Sequence, residues 1–130
     1  MEQDRYSRGM EKLKEINGSR GEEVLEQLAE IAPALARFTV EFPYGDVYTR
    51  GVLSPKERAI VTLSALSAMG HAQPQLKVHI NSALNVGCNR REIIEIFTQM
   101  AVYAGFPAAL NAVFTARDVF AERDEAGLAD

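Results

Sequence analysis

A chain of 130 residues can bury one core but leaves little room to enclose an active site within a single subunit, so a site shared between subunits is plausible at this size. Its 14 basic and 18 acidic residues give a net charge of −4 and no dense cationic cluster, which argues against a nucleic-acid footprint; no apolar run approaches the roughly 20 residues of a membrane span. The opening MEQDRYSRGMEKLKE lacks the apolar stretch of a secretory signal, so a cytoplasmic protein is expected, and the single cysteine, Cys88, excludes an intrachain disulfide or Cys-x-x-Cys pair.

Tyr6, Met10, Leu13 and Asn17 recur at steps of three and four, the spacing of one helical face, until the glycines of NGSRG relax the backbone. Val24, Leu25, Leu28 and Ile31 predict a second helix with that face inward. Pro33 restarts the chain, and Leu35, Phe38 and Phe42 repeat the pattern. FPYGDVYTRGVL, with Pro43, Gly45 and Gly51 among aromatics, reads as a loop or short helical turn packed through its rings, its tyrosines and arginine turned toward a ligand.

Ser54, Pro55 and Glu57 make a helix start with a capping box, which gives Glu57 a structural task. From Ala59 to Met69 the sequence is apolar or small on nearly every side, which predicts a central, enclosed helix. GHAQPQ turns the chain into a helix from Pro74 to Gly87. There Leu76, Ile80, Ala83 and Leu84 face inward, and His79 lies about 60° from Leu76, at the margin of the interior. Asn89 and Glu92 cap the next helix, whose stripe Ile93, Ile96, Phe97, Met100, Ala101 and Ala104 stops at Gly105. After Pro107 a last helix places Leu110, Val113, Phe114, Arg117 and Phe120 on one face, and AERDEAGLAD is too polar to pack and is expected to fray. No segment alternates with period two. The expected fold is all-α, a compact single-domain bundle of six or so main helices spanning 1–130, with N-terminal helices over 1–43, a core over 44–122 and a frayed tail over 123–130.

Two histidines, His71 and His79, supply no convergent ligand set, so no catalytic metal is expected. Ser64 and Ser67 lie within a helix instead of on a strand-turn-helix elbow, and no glycine-rich phosphate loop occurs. Cys88 at a helix start is more often an inert small residue than a reactive thiolate. What remains is a His79-centred site needing no cofactor, with Arg50 and Arg58 for anionic substrates and Tyr44, Tyr48 and Tyr103 as donors; Gln99 shares a face with Tyr103. Each also has a structural reading: His79 bonded to a carbonyl or carboxylate, Arg58 paired with Glu57 or Asp46, and Tyr103 satisfied by Gln99.

HINSALNVGCNRREIIEIFTQMAVYAGFPAALNA, His79 to Ala112, resembles the signature of the carboxymuconolactone decarboxylase family, and YGDVYTRGVLSPKERAIVTLSALSAMG is similar to the segment that precedes it, with Arg50, Leu53 and Arg58 in matching places. The likeness runs from about Tyr44 to Phe120. It implies an all-α fold assembling as a ring-shaped homo-oligomer, a trimer or a hexamer of three dimers, with the site near subunit contacts. It also implies one of two activities. The alkylhydroperoxidase branch reduces peroxides with a Cys-x-x-Cys pair, a following histidine and a glutamate relay. Here the histidine is His79, the cysteine positions fall in AQPQ, and the relay position after Arg58 is Ala59, which leaves only Cys88 acting across a subunit boundary. The decarboxylase branch takes a small-molecule acid or lactone and requires no metal or organic cofactor. The resemblance therefore implies a carboxy-lyase of the 4-carboxymuconolactone decarboxylase type, with His79 as proton donor or oxyanion stabiliser and Arg50 or Arg58 gripping a carboxylate that stays. An oligomeric binding or scaffold subunit, the ring having lost its chemistry, is the alternative.

Overall fold

Helix after helix forms where apolar side chains recur at steps of three and four, and a computed structural model describes residues 3–128 as all-helical, with no strand among them. The order is α1 (Arg5–Ile31), α2 (Pro33–Thr39), a π-helix (Val40–Val47), α3 (Pro55–Met69), α4 (Gln73–Asn85), α5 (Arg90–Ala104) and α6 (Phe106–Glu125). The chain divides into two compact units, Met1–Pro55 and Lys56–Asp130.

In the first unit the break expected at NGSRG is a kink inside α1: Gly18 takes φ 61° and ψ −149°, a backbone conformation open to glycine at little cost. Leu13, Val40 and Tyr44 form a small core. The aromatic segment is the predicted helical turn, widened to π spacing, with Tyr48 N donating to the Pro43 carbonyl five residues back at 2.7 Å. Gly9 is the contact point between α1 and this turn, because a Cβ there would collide with the Val40 carbonyl and side chain. Arg8 Nε donates to the Gly45 carbonyl at 2.8 Å, and Arg5 and Arg8 both pair with Asp46. The inward stripe differs from the expected one. Ala36, Val40 and Tyr44 are buried, whereas Leu35, Phe38 and Phe42 are exposed, as are Val24 and Ile31. Small Ala36 lets α2 approach its neighbours closely, and the large side chains one position away are left outside.

The second unit packs Leu63 of α3, Leu76, Ile80, Ala83 and Leu84 of α4, Ile93 and Phe97 of α5, and Ala112, Ala116 and Val119 of α6 into one core. All four residues expected to point inward from α4 do so. Three corrections apply. α3 is not enclosed: it buries Leu63 and Ser67, and Val61 is 58% exposed and Met69 54%, because the other three helices supply the rest of the core. α6 turns Ala109, Ala112, Ala116, Val119 and Arg123 inward, with Val113 and Phe120 partly buried and Leu110, Phe114 and Arg117 outward. The helix also continues to Glu125, into the segment expected to fray, since Arg123 extends the buried stripe by one further turn; the last two residues of that segment, 129–130, lie outside the described residues. No helix of the described residues is long and apolar enough to cross a membrane.

Candidate active site

Pro74 lies in the first turn of α4, and Gly87, at φ 110°, releases the chain after its end. Cys88 N donates back to the Ala83 carbonyl at 3.0 Å. The capping box then starts α5: Asn89 Oδ1 accepts from Glu92 N at 2.8 Å, and Glu92 Oε1 accepts from Asn89 N at 2.9 Å. Lys56 closes on Glu92 at 2.9 Å. The segment that carries His79 thus starts at a proline and ends in a glycine turn held against the capped start of α5.

His79 is half-buried, one step round the helix from the core residues Leu76, Ile80 and Ala83. Burial lowers its pKa below the usual 6.5, so the neutral imidazole is favoured at pH 7. Among the described residues neither ring nitrogen has a hydrogen-bond partner, so no internal carbonyl or carboxylate occupies the ring. A neutral imidazole in this state still has one N–H to donate and one lone pair to accept. The opposite side of α4 is tied to α6. Lys77 Nζ meets Glu122 Oε1 at 2.6 Å, Arg123 Nη1 donates to Asn81 Oδ1 at 3.3 Å and to Asn85 Oδ1 at 3.4 Å, and Asn81 Nδ2 donates to the Lys77 carbonyl at 3.2 Å.

The remaining residues singled out from the sequence fall in both units. Arg58 is half-buried in the first turn of α3. Gln99 and Tyr103 stand one turn apart on the exposed side of α5, Tyr103 being 77% exposed, and no hydrogen bond joins them. In the first unit Tyr44 and Tyr48 meet edge to face, with centroids 5.0 Å apart. Tyr44 Oη accepts from Asn17 Nδ2 at 2.7 Å, and burial pushes its phenol up to about 12, so this hydroxyl braces the α1 contact as a neutral group. Arg50 is exposed in the turn beyond Tyr48.

Cys88 is 1% exposed, and burial pushes its thiol up, both of which work against thiolate chemistry. Among the described residues no group of three or more His, Cys, Asp or Glu side chains is placed to hold a metal ion. Phe97, Ala101, Phe106, Leu110 and Val113 help line an open apolar groove of about 520 Å³ between α5 and α6. The sequence reading missed Arg123, although its signal is present: it is the next member of the 109, 112, 116, 119, 123 spacing, facing an Asn81/Asn85 pair one turn apart.

Three relatives align over most of their length. A protein described as "Uncharacterized 15.0 kDa protein in nqo9-nqo10 intergenic region", from Paracoccus denitrificans, is 30% identical over 118 residues, 90% of this chain and 88% of its own. A 4-carboxymuconolactone decarboxylase from Acinetobacter baylyi is 30% identical over 120 residues, 92% of this chain and 89% of its own. The nitrosuccinic acid decarboxylase npaB from Metarhizium robertsii is 29% identical over 112 residues, 83% and 76% of the two chains. Residues 33–118, which include the π-helix, the His79 helix and most of α6, match the profile of one family, and the likeness that the His79 to Ala112 signature carries is borne out. The chain belongs to the carboxymuconolactone decarboxylase family.

Proposed function

We propose that the protein is a cofactor-free decarboxylase acting on a small carboxylated acid or lactone, with His79 donating a hydrogen bond to the oxyanion that forms as CO2 leaves. The observation that carries this reading is the state of His79: an imidazole at the core's margin, biased to its neutral form and with no hydrogen-bond partner among the described residues. The relatives' substrates support it through shared chemistry. In 4-carboxymuconolactone the carbon that loses CO2 also bears a CH2–COO⁻ arm and is bonded to the ring double bond, through which the electron pair released by the breaking C–C bond reaches the lactone carbonyl. Nitrosuccinic acid has the same arm on a carbon whose electron sink is a nitro group. Decarboxylation in either case breaks one C–C bond, sends its electron pair to an oxygen of the sink, and is completed when carbon takes up one proton from solvent.

Such a reaction asks for a donor at the sink oxygen, a grip on the carboxylate that stays, and an apolar surround for the one that leaves. His79 supplies the first as a neutral N–H donor. Arg50 or Arg58 is proposed for the second, since a guanidinium fork matches a carboxylate in two-point fashion. Tyr48, Gln99 and Tyr103 are proposed as further hydrogen-bonding contacts, and Tyr44 holds its place through Asn17. A ring of subunits belongs to the same proposal.

The test is CO2 release from 4-carboxymuconolactone and from nitrosuccinate. Loss of one oxyanion donor costs about 10² to 10³ in kcat, so His79→Ala is expected to fall by that order, and His79→Gln, which keeps an N–H, by less. Equal rates for wild type and His79→Ala remove the imidazole from the mechanism, and an absence of turnover on both acids favours a binding subunit.

A further inference from the structure

We infer that Arg123 is a positioning residue for His79, acting as a clamp from α6 on the far side of the helix that carries the imidazole; this rests on the reading of His79 as the reacting group. Arg123 is 95% buried by its 5% exposure, near the C-terminal end of a helix whose next residues are exposed. Its guanidinium reaches Asn81 and Asn85, two side chains one turn apart on α4, and its neighbour Glu122 takes Lys77. Lys77 and Asn81 flank His79 by two residues each, which puts them about 160° away from it round the helix. The clamp therefore holds the back of α4 while His79 projects from the front.

The apolar side of α4 cannot set this alignment alone. Leu76, Ile80 and Ala83 make non-directional contacts that survive a small rotation. Hydrogen bonds weaken steeply as their angles open, so the polar ties fix the rotation. A turn of about 10° moves an atom 5 to 6 Å from the helix axis by about 1 Å, and a misplacement of that size costs about 10²-fold in a reaction that depends on alignment.

The experiment compares wild type, Arg123→Met, His79→Ala and the double variant in the full chain. Arg123→Met is expected to lower kcat about 10- to 100-fold with KM nearly unchanged. In the His79→Ala background the same change is expected to cost nothing further, because no donor is left on that face to align. An equal loss in both backgrounds, or a change in KM alone, overturns the inference. Asn85→Ala removes one acceptor and keeps the guanidinium, and it serves the same comparison if Arg123→Met does not fold. A second readout is independent of turnover. With two histidines in the chain, the His79 ring signal in a proton–carbon NMR spectrum is assigned by its loss in His79→Gln. That signal is expected to shift in Arg123→Met and Asn85→Ala, and an unmoved signal overturns the clamp. If wild type releases no CO2, the decarboxylase reading fails and the ring signal still decides the clamp.

Discussion

His79 refuses a proton in the fold that it accepts when unfolded, and this ties a single residue to the pH dependence of stability. Its folded pKa lies below the unfolded value of about 6.5, so above that pH both states are neutral and the residue contributes no pH dependence. As pH falls through about 6.5 the unfolded chain takes the proton first, and stability declines until the lowered folded pKa is passed. The depressed carboxylates, Asp4 and Asp124 held by a helix N-terminus and by Arg90, and Glu92 held by the Asn89 backbone and Lys56, lose their contribution only at much lower pH. Urea melts of wild type and His79→Gln are therefore expected to diverge below about pH 6.5, with wild type the steeper. Parallel curves would mean that the ring protonates freely in the fold. That His79 sits at the margin was legible from its angle to Leu76, but its freedom from internal partners was not, because spacing along one helix says nothing of what neighbouring helices offer.

At the scale of elements, small residues decide which faces meet. Large apolar side chains drew the sequence reading to Leu35, Phe38 and Phe42 in α2 and the π-helix and to Leu110 and Phe114 in α6. The contacts run instead through Ala36 and Val40, and through Ala109, Ala112 and Ala116. Alanine carries little hydrophobic weight, yet it allows two helix axes to come close, and closeness is what excludes water. Helix starts and stops were more legible, since Pro55, Gly87, Asn89 with Glu92, and Gly105 act through their own backbone. Gly9 extends the rule to its limit. Gly9→Ala would push a methyl group into the Val40 carbonyl, and overpacking of this kind costs about 1 to 3 kcal/mol, so a lower urea midpoint is expected. An unchanged midpoint would show that α1 and the π-helix can separate without loss.

For the whole molecule, the large apolar side chains left outside are as informative as those within. Ile31, Leu35, Phe38 and Phe42 in the first unit, and Val102, Tyr103, Phe106, Leu110 and Phe114 in the second, are all more than half exposed. Patches of that kind mark contact surfaces. The proposed ring accounts for them, and sedimentation is expected to give the mass of a trimer or a hexamer; a stable monomer at micromolar concentration would count against it. No length of helix periodicity reveals a partner copy, and in the sequence it was the small size of the chain and the family likeness that pointed to assembly. Cys88 has a practical consequence. The lone thiol of the chain is buried in the core of the second unit, so a maleimide dye or spin label aimed at a cysteine engineered on the surface would attach to that cysteine alone, and the protein can be tagged without first deleting its native thiol.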